Sequence, residues 1–427
     1  MLANQNEYDP KRAWVIALML ACMMTVNFLD KVVLGMVAVP LMHELKITPT
    51  EFGLIGGSLN WLFAIFAIFG GLASERFKTR HLILIMALSW SVLQLPMMLA
   101  GSAVTVLILR TLLGASEGPA SPLSLHELAK WFPNEKRGLP SAVLYQGSAL
   151  GLLLAGIVIP VITLKWGWRA NFMALAIVGV VWCVLWQFVG GESTLRQEKD
   201  RGCGFRLPYR VLLADKTVLG VFCAHFAAYW MLAVTLTWMP HYLQAGLGFS
   251  AARSGHLFAL LVAGATFLAF VLVWVSQRLL ISGVPSRQSR GLFIAVSLVI
   301  AGLLRAAVAL PLTPIEKILL LMVSNGMAQV MFSVGATMIG EVTPESQRGT
   351  ILALSNAIGS VSGLIAPVIT GMMIGRATGL ASNGFEASCV LTAVVMVVAG
   401  LVCTRWLNPA TSQLTRHQAA FTSTAAP

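Results

Sequence analysis

Pro133-Asn-Glu-Lys-Arg137-Gly138 and Pro344-Glu-Ser-Gln-Arg348-Gly349 are the same six-residue turn written twice. Each copy follows one long apolar run and opens another, Gly-punctuated run, which ends near Pro160 in the first case and near Pro367 in the second. The copies occupy matching places in the two halves of the chain, so the sequence reads as a parallel repeat.

Working outward from the two turns, apolar runs fill nearly the whole chain. A bilayer core about 30 Å thick needs about 20 apolar residues per helix. Runs of that length lie at 13–40, 51–73, 81–100, 103–127, 139–164, 170–189, 217–243, 250–280, 290–310, 315–339, 350–375 and 386–406. Twelve spans are therefore expected, six on each side of a polar stretch. Only 11% of the 427 residues are charged and 57% are hydrophobic, whereas soluble chains carry about 25% charge. So little charge does not clothe a soluble surface, which makes lipid the solvent. The expected class is an all-α integral membrane protein with twelve transmembrane helices in two pseudo-symmetric six-helix bundles. Residues 1–189 form the first bundle, 190–216 a cytoplasmic central loop, 217–406 the second bundle and 407–427 a cytoplasmic tail. Within the loop, Leu207–Leu213 reads as a short amphipathic piece on the membrane surface.

Net charge is +12, and its placement sets topology. With both termini inside, twenty Lys and Arg fall on the cytoplasmic side and seven on the outer side, Arg305 and Lys317 among the seven. The positive-inside rule then fixes both termini in the cytoplasm. The basic excess implies no nucleic-acid partner. Lys11 and Arg12 before the first run resemble a signal peptide, yet no small-residue cleavage site closes it, so it reads as an uncleaved helix of a multi-pass protein of the bacterial inner membrane. Six scattered cysteines show no metal or disulfide spacing, and neither metal nor cofactor is expected. Trp131, Trp166, Trp168, Trp182 and Trp186 suit interfacial belts.

Two basic residues, Lys31 and Arg110, stand clearly inside apolar runs, away from their ends, as do two acids, Asp30 and Glu117. Ionisable groups at membrane depth are expensive and point to function. Arg110 and Glu117 are two turns apart, roughly 10 Å along one helix face. Counted by helical rise, Asp30 has a depth between them, so all four can share a cavity. Fully ionised, the quartet is neutral and its cations are engaged. A proton on Asp30 or Glu117 frees Lys31 or Arg110 to attract an anion, which couples proton and anion binding. Ser148, Asn356, Asn325, Gln329, Tyr229 and Thr237 are candidate hydrogen-bonding partners for a substrate body. His225 reads as a packing residue. No phosphate loop, metal cluster or hydrolase constellation supports an enzyme.

At this point the chain resembles the major facilitator superfamily over essentially its full length. Gly71-Leu-Ala-Ser-Glu75-Arg76-Phe-Lys78-Thr-Arg80 looks like that superfamily's loop motif at the cytoplasmic gate. Glu75 stands where Asp is usual and Lys78 where Gly is usual, a residue normally chosen for positive φ. Within the superfamily the chain looks most like the anion:cation symporters. The residues behind this are Asn27-Phe-Leu-Asp30-Lys31, Arg110-Thr-Leu-Leu-Gly-Ala-Ser-Glu117-Gly, Lys130-Trp-Phe-Pro133 with Arg137-Gly138, Trp238-Met-Pro240-His-Tyr242, and Arg348-Gly-Thr with Asn356. Two departures stand out: Arg is usual at position 31, and Tyr is usual where this chain has Phe63. The resemblance implies that Asp30 and Glu117 relay protons, that Lys31 and Arg110 hold a carboxylate, and that Asn356 meets the substrate. Lys31 lacks the planar fork of Arg, and Phe63 removes a polar contact, which leans toward a less hydroxylated substrate. The expected activity is proton-coupled uptake of a small organic anion, a sugar acid or an aromatic carboxylate, by a monomer in the bilayer. The alternative is proton-driven efflux of a small organic compound.

Overall fold

The computed structural model describes residues 8–74, 76–133, 136–191, 207–377 and 381–412. These residues contain helices and no strand. The helices are α1 (Pro10–Met36), α2 (Ala38–Leu45), α3 (Pro49–Ser74), α4 (Thr79–Met98), α5 (Ala103–Glu117), α6 (Ala120–Trp131), α7 (Gly138–Trp166), α8 (Arg169–Val189), α9 (Tyr209–Ala214), α10 (Lys216–His241), α11 (Ala251–Ile281), α12 (Phe293–Ala307), α13 (Pro314–Val342), α14 (Glu345–Arg376) and α15 (Ala381–Trp406). Eleven membrane-length apolar helices are present among the described residues.

The remaining expected span, 103–127, is not one helix. It breaks at Gly118-Pro119 into α5 and α6. Proline has no N–H, and its ring collides with the carbonyl four residues back in a continuous helix. The backbone of Pro119 relaxes to ψ −9°, and the break falls directly after Glu117. The first span also divides, at Val37, into α1 and α2. Leu207–Leu213 is largely helical, as α9. Its neighbour Leu207 is fixed by Gln347, whose side-chain amide donates to the Leu207 carbonyl and accepts from its N–H, both at 2.8 Å.

Packing divides the chain into two compact units, residues 1–200 with 236–260, and residues 201–235 with 261–427. In the first, α5 lies on α3 and α1 on α7. A Cβ on Gly114 would collide with the Leu59 carbonyl oxygen, and one on Gly118 with that of Phe63. Small residues of this kind let backbones approach closely, the packing that helix association in lipid relies on. Thr25 ties α1 to α7 by donating to the Gly147 carbonyl at 3.0 Å. Residues 236–260 pack in the same unit, with the Trp238 ring edge-on to Phe52 at 5.1 Å.

The arginines of the two repeated turns are held alike. Arg137 donates to the Ala129 carbonyl at 2.8 Å, and Arg348 to the Gly340 carbonyl at 2.8 Å. In each the guanidinium reaches a carbonyl eight residues back and so satisfies the C-terminal end of the preceding helix.

The tryptophans correct the belt expectation in four cases of five. Trp182 and Trp186 are buried and stacked at 5.2 Å, donating to the carbonyls of Met19 and Arg80. Trp131 is buried and donates to Glu127 at 2.9 Å. Trp168 is buried and donates to Glu44 at 2.6 Å. That bond, with another from Arg169, holds the Glu44 carboxyl below its usual range. Trp166 alone is well exposed. Cys22 is exposed, unlike Cys183, Cys389 and Cys403, which are buried.

The α3–α5 contact generates a direct test. Gly114→Ala should lower the melting temperature in detergent, since overpacking against backbone costs about 1–3 kcal/mol. Gly71→Ala, with nothing within 4 Å of the new methyl, should be silent. Equal melting of both variants and wild type would contradict the packing.

Candidate functional site: a buried charge quartet in the first unit

Asp30 and Lys31 sit on α1, Arg110 on α5 and Glu117 at its last residue. Helical rise alone places Arg110 and Glu117 two turns apart on α5, and the α3–α5 contact fixes the height at which they face α1. Arg110 Nη1 lies 3.7 Å from Asp30 Oδ1 and donates to the Asp30 backbone carbonyl at 3.3 Å. Arg110, Asp30 and Glu117 are all buried, at 2%, 3% and 0% exposure. Such a pair is tolerable only because each charge answers the other.

Glu117 faces Asp30, Lys31 and Arg110 electrostatically, yet neither of its oxygens has a hydrogen bond of good geometry among the described residues. Lys31 takes a different solution. Its ammonium lies 4.5 Å from the centroid of the Phe28 ring and 4.8 Å from that of Phe63. Two ring faces replace part of its hydration. Phe63 thus has a definite task here, as one wall of the Lys31 cradle.

The structure brings Asp30, Lys31, Arg110, Glu117 and Phe63 together. Ser148, on α7, is buried with its hydroxyl unpartnered among the described residues, so no hydrogen bond ties it to the quartet there. Asn356 is an exposed residue of α14 in the second unit, its carbonyl accepting from Ser360 at 3.0 Å. In the loop motif, Arg80 donates to the Gln187 carbonyl at 2.7 Å. Arg76 is exposed, and Gly71 has open space beside it. Glu75 lies outside the described residues. Lys78 adopts φ −62°, so this turn requires no positive φ and tolerates a side chain where Gly is usual.

Two residues carry more than their sequence positions suggest. Asn27 is buried at 1% exposure, with both side-chain amide atoms unpartnered among the described residues. It stands three residues before Asp30, on the same helix face, and that spacing is the signal that marks it. Arg305, placed on the outer side by its position near a helix end, is instead fully buried. Among the described residues no group of His, Cys, Asp and Glu could hold a metal.

The sequence matches the Major Facilitator Superfamily over residues 20–315 and 286–427. The chain belongs to this superfamily. This major facilitator protein is a multi-pass membrane transporter and not an enzyme. It is 27% identical to the hexuronate transporter of Bacillus subtilis, over 90% of this chain and 92% of that protein. It is 26% identical to the probable sulfoacetate transporter SauU of Cupriavidus necator, over 90% of this chain and 91% of that protein. Among solved structures, an inward-facing, occupied bacterial homolog of the human lysosomal transporter Spinster superposes with a TM-score of 0.80. That match covers 93% of this chain and 97% of the other at 18% identity, and it speaks for the fold.

The Lys31 cradle can be tested by a double-mutant cycle. Phe63→Leu and Lys31→Met should each lower thermal stability, with a coupling of about 0.5–2 kcal/mol between them. Strict additivity in unfolding measurements would mean that the ring only packs.

Proposed function

We propose that this major facilitator protein carries a small organic anion into the cell together with protons, using the quartet as its coupling device. The observation that carries the proposal is the Asp30–Arg110 pair at 3.7 Å, with the fully buried Glu117 carboxyl in electrostatic contact with both. Arg110 is the main anchor for the substrate carboxylate, because its guanidinium can bind a carboxylate through two parallel hydrogen bonds. While Asp30 is ionised, that guanidinium is engaged. A proton on Asp30 releases it, and a proton on Glu117 removes the second negative charge that would repel an incoming anion. The bound anion in turn favours the protonated acids, so each ligand promotes the other, as linkage requires. Lys31 adds attraction without dictating geometry.

Relatives named for hexuronate and sulfoacetate transport support an anionic cargo. We assign a sugar acid or an aromatic carboxylate as the substrate class. The halves 1–189 and 217–406, joined by 190–216, act as the two moving repeats of a monomer. Both termini are assigned to the cytoplasm of a bacterial inner-membrane protein, on the distribution of Lys and Arg.

The test separates exchange from accumulation in proteoliposomes. Glu117→Gln and Asp30→Asn should still exchange labelled organic acid at equilibrium, and at least one should fail to concentrate it under an imposed pH gradient. Full pH-driven accumulation by both variants would refute the proton role. Arg110→Lys should lose most transport although it keeps the charge, and wild-type rates there would refute the anchor. Orientation is checked on a background without native cysteines. Lys46→Cys should react with an impermeant reagent added outside the cell and Lys136→Cys should not, whereas the reverse would invert the topology.

A further inference from the structure

Arg305 stands in the last turn of α12, where a chain leaving a membrane span normally meets water, yet its exposure is 0%. None of Nε, Nη1 and Nη2 has a hydrogen-bond partner among the described residues. A guanidinium keeps its charge at any physiological pH, and burying it unanswered is strongly unfavourable.

The acids at this end of the second unit are engaged with other groups. The Glu316 carboxylate accepts from the Thr313 N–H and hydroxyl, both at 2.8 Å, and so caps α13. Glu386, on α15, accepts from Lys317 Nζ at 2.6 Å. Cys389, one turn along α15 from Glu386, sets its thiol beside the guanidinium, where it is a weak and uncharged acceptor. The connecting sequences 307–313 and 377–385 contain no acid, and Arg376 adds only an exposed cation. Arg305, Lys317 and Glu386 all act on the Cys389 thiol, which gathers two cations and one carboxylate around it.

We propose that this cluster is a binding site for a small inorganic anion, of the size and charge of chloride, anchored by Arg305. Complete burial of the guanidinium excludes a lipid phosphate or an organic substrate, leaving an ion that enters by a small side-chain movement. The Lys317 and Glu386 side chains, 10% and 14% exposed, mark the way in. The site belongs to α12, α13 and α15 and is independent of the quartet. Its role is to complete the charge of this bundle end, so ion binding stabilises the fold by linkage.

Thermal unfolding of the purified full chain in detergent tests the site, in sodium chloride against sodium gluconate at equal ionic strength. Wild type should melt several degrees higher in chloride, with saturable dependence on concentration. Arg305→Gln should melt alike in both salts, and no lower than wild type in gluconate, because it removes the unanswered charge. Lys317→Gln leaves Glu386 for Arg305 and should also lose the chloride effect. Glu386→Gln leaves two cations and should need several-fold less chloride. A wild type that melts alike in both salts would overturn the site. So would an Arg305→Gln or Lys317→Gln variant that keeps the chloride shift. A drop of Arg305→Gln below wild type in gluconate would show that the protein itself answers the guanidinium, and would overturn the site as well.

Discussion

The carbonyl oxygens of Leu59 and Phe63 occupy the space that side chains on Gly114 and Gly118 would need. This backbone-to-backbone approach of α5 to α3 sets the height and rotation of α5, and with them the positions of Arg110 and Glu117. Phe63 is bound into the same contact. Its carbonyl meets Gly118 while its ring walls the Lys31 ammonium. Pro119 follows at once and ends α5, so Glu117 is the last residue of a helix whose next turn starts afresh. The positions of the charges and of the aromatic wall thus follow from one close contact, and Pro119 beside it ends the helix, in an environment where water supplies no alternative hydrogen bonds.

The two units treat buried charge differently. In the first, two acids and two cations stand within electrostatic reach of one another, and the set is neutral when all are ionised. Neutrality of that kind is upset by one proton, in keeping with the coupling role proposed for the quartet. In the second, Lys317 and Arg305 share the Glu386 carboxylate's neighbourhood with a positive remainder. A proton there would not restore balance; only an anion would. The contrast follows from side-chain chemistry, since carboxylates exchange protons and a guanidinium does not.

Much of this architecture was legible in sequence, because membrane spans announce themselves by length and apolarity, and an Asp-Lys pair inside such a run has no ordinary structural excuse. Asp30, Lys31, Arg110 and Glu117 could be grouped by helical rise alone. Arg305 could not, because a cation two residues from a helix end looks solvated unless the packing of two other helices is known. Trp182 and Trp186 misled for a related reason: an indole near a span's end fits a membrane interface as well as a carbonyl on a neighbouring helix. The break at Gly118-Pro119 was written in the residues, but a 25-residue apolar run overrode it. Lys78 shows the converse, where a departure from a familiar pattern costs nothing because the backbone there is extended.

The turns at Arg137 and Arg348 have a mechanical consequence. Each guanidinium is tied to a carbonyl of the helix before it, two turns back, which couples the start of the next helix to the end of the last. A helix entering such a turn transmits torque to the one leaving it. In the first unit the nearest interruption upstream is the one between α5 and α6, one residue beyond Glu117. A load passed along that arm therefore meets its first break in helical hydrogen bonding beside the acid.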